Sequence, residues 1–296
     1  MITVITPTYK RYQYLKNAIE SVLAQTYTDF EYIIVDDNPV GTKDRTLTKD
    51  VIKSFSDSRI RYVQNQENLG GAGSRNVAIA MAKGEYIAFL DDDDIYLPDR
   101  LRVQVEAMQK NDWEVCVMDG ITYHYETGKF VSIKHQHLKQ NMSNDELIRN
   151  HLLYHISGTN TFMFKTDFLR KIGGFDVIPS CQEYVLMQKA LDAKPKFGYL
   201  PIILIKNFQH DGEQISTGSK KLTGQKLLIA NKKKYFYLLN NKEKRQVLCR
   251  YHGVLFFVYF KMHVFLHAIS ELILCFFYSP KNAIAWANEY AGKIKS

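Results

Sequence analysis

The residues best suited to chemistry are four consecutive carboxylates, Asp91-Asp92-Asp93-Asp94, which follow an apolar run over 85–90. Carboxylates this close repel one another unless a cation or solvent offsets them. Mg²⁺ and Mn²⁺ take one or two carboxylates and share phosphate oxygens, so the run suits a metal–diphosphate site. It also reads as a solvated acidic loop, with Asp94 starting the helix that follows. Asp36-Asp37 closes a second apolar run over 30–35. Carboxylates at a strand end can accept hydrogen bonds from a base N–H or ribose hydroxyls; the alternative is an Asx turn with Pro39. Residues 68–76 are glycine-rich and enter a helix, so backbone N–H groups there, with Arg75, could meet a phosphate. The segment lacks the Gly-x-x-x-x-Gly-Lys-Ser/Thr pattern of a P-loop. Glu183, in Gln182-Glu183-Tyr184 after the Gly173-Gly174-Phe175-Asp176 turn, could accept a proton from an attacking hydroxyl, or be a surface residue at a helix start. His210 could ligate a metal, touch a phosphate or be structural.

The first 110 residues alternate strand and helix signals. Runs over 2–6, 30–35, 60–64 and 85–90 read as strands; 12–25, 43–56 and 73–82 read as helices. That rhythm predicts an α/β fold with a mostly parallel, Rossmann-like sheet flanked by helices. Ligands of such sheets bind beyond the carboxyl ends of the strands. Thr6-Pro7-Thr8, Asp36-Asp37 and the acidic run all fall at such ends, so they should converge. Residues 113–210 are harder to parse, with apolar runs over 115–118, 161–164 and 200–205.

The net charge of +8 is concentrated in one place. Residues 219–250 hold ten lysines and arginines against one acid, Glu243, which leaves the remainder near neutrality. The four cysteines are scattered and form no CxxC pair, against a zinc site or a dense disulfide framework. The start lacks a signal-peptide pattern, so a cytoplasmic protein is expected.

The ordered motifs resemble the family 2 glycosyltransferases of GT-A fold over roughly residues 1–215. They are Val4-Ile5-Thr6-Pro7-Thr8-Tyr9, Ser21 to Thr26, Ile34-Val35-Asp36-Asp37-Asn38, Asn68-Leu69-Gly70 to Arg75-Asn76, and Gly84 to Asp94, followed by Pro98-Asp99-Arg100-Leu101. The resemblance implies an inverting transfer from a nucleoside-diphosphate sugar, of uridine type, with Mn²⁺ or Mg²⁺. Carried over by position, Thr6, Pro7 and Tyr9 line the nucleobase pocket and Asp37 bonds the base, with Asp36 nearby. Arg75 lies near the diphosphate, and Asp92 and Asp93 match the ribose and metal contacts, Asp93 leading. Asp91 is a further metal candidate, and His210 falls where such enzymes often carry a histidine. Glu183 occupies the place of the catalytic base, although Gln182-Glu183 replaces the family's Glu-Asp pair. The expected acceptor is a saccharide or lipid-linked hydroxyl, in cell-surface polysaccharide synthesis.

The expected organisation is a catalytic domain over 1–215, with a nucleotide-binding half at 1–110 and an acceptor-binding half at 111–215. A basic, apolar, helical region follows at 216–296. Its apolar stretches are interrupted by Lys261, His263, His267 and Glu271, so a spanning helix is not expected. Apolar helices beside a +9 segment suit the inner face of an anionic membrane; the alternative is packing on the catalytic domain or on a second subunit. Rival functions are a non-catalytic nucleotide-binding assembly subunit and a sugar nucleotidyltransferase. The latter wants a glycine-rich basic loop where Thr6-Pro7-Thr8-Tyr9 stands. Nucleic-acid binding lacks a recognition motif.

Overall fold

A computed structural model of the chain describes residues 1–210 and 218–284. The first stretch runs β1 (Ile2–Thr8), α1 (Tyr12–Leu23), β2 (Phe30–Asp36), α2 (Lys43–Lys53), β3 (Ile60–Gln64), α3 (Gly70–Met81) and β4 (Tyr86–Phe89). It continues with β5 (Ile95–Tyr96), α4 (Arg100–Asn111), β6 (Val115–His124), β7 (Phe130–Lys134) and α5 (Asn144–Tyr154). Then come β8 (Phe162–Lys165), α6 (Thr166–Lys171), α7 (Gln182–Asp192), β9 (Phe197–Gln209), α8 (Gly218–Lys233), α9 (Asn241–Lys261) and α10 (Phe265–Tyr278).

All nine strands belong to one sheet in the order β3-β2-β1-β4-β8-β6-β9-β5, with β7 on β6. The four N-terminal strands are parallel, as the alternating rhythm predicts. Every residue of β2 is buried, which is why the strand is apolar apart from Glu31 and Asp36 and does not alternate. α1 buries Leu15, Ala18, Ile19 and Val22, one stripe at helical spacing. At about 1.5–3 kcal/mol for each fully buried large aliphatic side chain, that stripe is enough to hold the helix on the sheet. Beyond β4 the direction changes: β8 is antiparallel to both β4 and β6, whereas β9 is parallel to β6.

The chain reverses its direction of travel across the sheet between β1 and β4. β1 pairs with β2 as far as Thr8, but β4 leaves β1 at Ile5↔Phe89. Pro7 therefore sits where no β4 partner needs its missing N–H. The opening left between these two strands is a topological switch point, the usual place for a ligand in such sheets.

The chain divides into two compact units. One contains Met1–Met142, Ile156–Val177 and the chain from Gln182 through β9; the other gathers Ser143–His155, Ile178–Cys181 and the C-terminal helices. The expected boundary at 215/216 lies outside the described residues. In the second unit α5 and α9 both begin with a capping box, Ser143 with Glu146 and Asn240 with Glu243. Glu243 also takes an ion pair from Arg149, joining α9 to α5. No helix among the described residues is long and apolar enough to cross a membrane.

Candidate active site

The loops leaving β1, β2 and β4 meet at the switch point, and Asp37 ties two of them together. Its Oδ1 accepts from Asn65 Nδ2 and from Leu69 N, and its Oδ2 from Gly70 N, all at 2.8 Å. The carboxylate thus caps α3, where the helix leaves N–H groups without partners. Consequently α3 begins at Gly70, three residues before the periodicity predicts, and the glycines lie in its first turn. Gly70 has φ +71°, which a side chain would strain. Asp36 is fully buried and its oxygens are spent on protein: Oδ1 accepts from Asn38 N and Nδ2, and Oδ2 from the Tyr62 hydroxyl at 2.5 Å.

From β1, Thr6 is fully buried and its Oγ1 accepts from the Tyr32 hydroxyl at 2.9 Å, so it forms the floor below the opening. Pro7 and Tyr9 are half-buried, with Lys10 Nζ 5.2 Å from the Tyr9 ring centre. Thr8 reaches the acidic run. Its hydroxyl helps to hold down the Asp92 pKa, yet finds no hydrogen bond of full geometry.

The four aspartates face four different neighbours. Asp91 Oδ1 accepts from Arg75 Nη2 at 2.5 Å. Arg75 is itself buried, with its guanidinium 5.4 Å from the Phe175 ring centre. The Gly173-Gly174-Phe175 turn sets that ring in place, because Asn76 bonds both the N–H and the carbonyl of Phe175. A Cβ on Gly174 would lie 2.6 Å from Asn76 Oδ1. Asp92 is buried beside Thr8. Asp93 pairs with Arg11, whose Nη1 is also 3.7 Å from Asp92 Oδ1. His210, just past β9, places Nε2 3.2 Å from Asp93 Oδ2 while its ring packs against Tyr14 and Tyr125. Asp94 is buried, accepting from Asn160 Nδ2 and from Phe208 N. It does not start the next helix: α4 begins after Asp99. Asp94 instead fastens the loop after β4 to β9.

Burial and mutual repulsion make the run reluctant to ionise. Burial, with Asp93 beside it, pushes the Asp92 carboxyl up to about 7, against the pull of Arg11 and Thr8. Asp93 is raised by burial, partly offset by Arg11 and His210. Asp94 is raised well above the ordinary range by burial and then by Asp93. Glu183, in the first turn of α7, is raised by burial; its own N–H and the charges of Arg75 and Lys134 oppose the shift, and Asp91 adds to it. Glu183 therefore shares the electrostatic surroundings of Arg75 and Asp91.

The residues expected to hold a metal, Asp91, Asp93 and His210, are brought together only in part. Asp91 is drawn to Arg75, and no cluster of three or more His, Cys, Asp or Glu able to hold an ion occurs among the described residues. Asp93 and His210 do fit a divalent ion shared with a substrate. Both His210 ring nitrogens are buried without a hydrogen bond, one of them next to Asp93, and carboxylates with raised pKa values gain most from an added cation. Two protein ligands leave the positions that phosphate oxygens and water fill around Mg²⁺ or Mn²⁺. Arg11 and Asn65 were not among the expected site residues, and Thr8 was expected only as part of the converging Thr6-Pro7-Thr8 segment. Only their position at strand ends, Thr8 closing β1, Arg11 beyond it and Asn65 just after β3, could have drawn attention to them.

An α/β sheet with carboxylates, two arginines and a half-buried glutamate around its switch point has the form of a GT-A fold. The same fold is found in S. aureus TarS 1–349, solved with UDP-GlcNAc, at a TM-score of 0.62 and 18% identity over 99% of this chain and 91% of that one. The mannosyltransferase PcManGT of Pyrobaculum calidifontis, solved with GDP-Man and Mn²⁺, matches at a TM-score of 0.55 and 15% identity over 98% of this chain and 75% of that one. Residues 3–172 match the model of glycosyl transferase family 2, and the chain belongs to that family, as its motifs imply. Among relatives, the Escherichia coli UDP-Glc:alpha-D-GlcNAc-diphosphoundecaprenol beta-1,3-glucosyltransferase WfgD is 35% identical over 154 residues, 51% of this chain and 56% of its own length. The protein is a glycosyltransferase.

Proposed function

We propose that this glycosyltransferase moves a sugar from a uridine-diphosphate donor to a hydroxyl of a saccharide or lipid-linked acceptor, with inversion and with Mn²⁺ or Mg²⁺ bound. The observation that carries this reading is the convergence of Asp37, Arg75, the acidic run, His210 and Glu183 on one switch point. The donors carried by TarS and named for WfgD support uridine, and the lipid-diphosphate acceptor named for WfgD supports cell-surface polysaccharide synthesis. PcManGT, solved with Mn²⁺, supports a divalent ion.

In this reading residues 1–110 contribute the donor side and 111–215 the acceptor side. Thr6, Pro7 and Tyr9 shape the base pocket. Asp37, held rigid by three donors, presents its carboxylate to the base N–H, and Asp36 fixes the loop around it. Asp92 meets the ribose and Arg75 the diphosphate. Asp93 and His210 would hold the ion, which would offset charge on the leaving diphosphate, while Asp91 stays with Arg75. Glu183 removes the acceptor proton while the acceptor oxygen bonds to the anomeric carbon. The carbon–diphosphate bond breaks on the opposite face, and the diphosphate leaves with that electron pair. The basic, apolar C-terminal helices bring the enzyme to the inner face of a membrane, near such an acceptor.

A thermal-shift screen of nucleoside diphosphates and their sugars with Mn²⁺ tests the donor. Uridine nucleotides should stabilise most, and a larger shift with guanosine nucleotides would refute the base assignment. Asp93→Ala should abolish the metal-dependent part of that shift. Glu183→Gln should keep the shift and lose transfer; full transfer would overturn its role as base.

A further inference from the structure

α10 presents an apolar face to solvent. Phe265, Leu266, Ile269, Ile273, Phe276 and Phe277 are 51%, 83%, 55%, 63%, 39% and 71% exposed. At 3.6 residues per turn they form a single stripe along the helix. The opposite side is occupied: Ala268 and Cys275 are buried, and Cys275 meets Cys249 of α9. Scattered exposed apolar residues are ordinary, but six large ones in one stripe mark a surface that something covers.

Charge indicates what covers it. The sole acid on α10, Glu271, is half-buried against His252 Nδ1 at 2.5 Å, so no carboxylate stands in the stripe. Cations bracket the helix. Exposed Lys261 precedes it, exposed Lys281 follows it, and Arg245 of α9 donates to the Phe277 and Tyr278 carbonyls at its C-terminal end. Residues 218–284 carry twelve lysines and arginines against two acids. A second copy seated on this stripe would bring the same positive charge to face it. A bilayer surface of anionic phospholipid supplies both an apolar layer for the stripe and negative headgroups for its ends. α10 has 14 residues, about 21 Å of helix, too short for a hydrocarbon core of about 30 Å. A helix of that length on a bilayer would lie in the plane of the interface.

We propose that α10 is an interfacial anchor that docks the enzyme on anionic membrane. The proposal deepens the reading of a membrane-borne acceptor, but its test is independent of the donor. The full chain is sedimented with phosphatidylcholine vesicles, with and without phosphatidylglycerol, at low and high salt. The expected result is binding that needs phosphatidylglycerol and weakens with salt. A Leu266→Glu/Ile273→Glu variant should bind at least about tenfold more weakly, since two apolar insertions are lost. Because both sites are exposed, the variant should keep its far-ultraviolet dichroism and its thermal shift with UDP. Lys261→Gln/Lys281→Gln should lower binding while leaving the stripe intact. Equal binding to neutral and anionic vesicles, or undiminished binding by the glutamate variant, would overturn the proposal. A stable dimer broken by the glutamate variant, with no vesicle binding by the wild type, would overturn it in favour of a second copy. A failed UDP response alongside normal vesicle binding would count against the donor reading alone.

Discussion

Replacing Arg11 by glutamine should loosen the metal-free protein and tighten its hold on Mn²⁺ together. Arg11 pairs with Asp93 and lies 3.7 Å from Asp92, its side chain 24% exposed against 10% and 7% for the two carboxylates. Breaking a fully buried pair costs about 3–5 kcal/mol, because the remaining charge is stranded. Arg11 is a quarter exposed and the carboxylates can take up protons, so about 1–2 kcal/mol is appropriate here. At about 2–4 °C per kcal/mol for a domain of this size class, the metal-free melting temperature should fall by roughly 2–8 °C. In the wild type an ion reaching Asp93 must first displace Arg11. Without Arg11 that cost disappears, and about 1.4 kcal/mol corresponds to a tenfold gain in affinity. Scanning fluorimetry across a Mn²⁺ titration without nucleotide, with calorimetric titration for the Kd, measures both effects. Mn²⁺ should raise the melting temperature of Arg11→Gln more than that of the wild type, and Asp93→Asn should remove the response in either background. Equal Mn²⁺ shifts in the two proteins would refute competition for Asp93. An unchanged metal-free melting temperature would refute the stabilising pair.

Three further outcomes are expected. Asp92 holds a proton up to about pH 7 in the folded protein but releases it near about pH 4 when unfolded, so its contribution is present at low pH and lost as pH rises across that window. Metal-free wild type should thus lose stability relative to Asp92→Asn between those values in urea titrations; a relative gain would contradict the burial argument. Glu183 is raised by burial, so the acid limb of kcat/KM should fall at higher pH than an ordinary glutamate gives, and Arg75→Met, which removes an opposing cation, should move it higher still. Gly198→Ala would set a Cβ 1.9 Å from the Trp113 ring, so a loss of about 1–3 kcal/mol is expected from the urea midpoint, with UDP binding kept by the folded fraction.

The parallel half of the sheet was legible because β1, β2 and β4 are short runs dominated by β-branched and aromatic residues and α1 carries one clean stripe. Legibility ended where geometry depends on distant partners. α3 begins at Gly70 because of a carboxylate 33 positions earlier, which no local pattern records. β5 is two residues long and exists through its pairing of Ile95 with Lys206 and Tyr96 with Ile205. α5, in the middle of the chain, joins the C-terminal unit, partly through Arg149 and Glu243, 94 positions apart. In the candidate site, type and position singled out Asp37, Arg75 and Asp93, which stand at or just after strand ends and a helix start, as candidates. Arg11 was not singled out, because a lone arginine after a strand looks like any solvated residue until its partner is known.

Adjacency in sequence also concealed a division of labour. Four neighbouring aspartates invite the picture of one chelating patch, yet the turn after β4 points them at Arg75, Thr8, Arg11 with His210, and Asn160 with Phe208 N. A patch that chelated by itself would hold an ion whether or not donor were present. A run with two of its members already paired to arginines cannot do so cheaply, and only Asp93 shares its surroundings with a histidine whose nitrogens lack hydrogen bonds. The arrangement favours an ion that arrives with a diphosphate, whose negative charge can draw Arg11 and Arg75 away from the carboxylates as it binds. Metal and donor should therefore bind cooperatively, each tightening the other by the same factor. Arg11 would be the group that enforces the coupling.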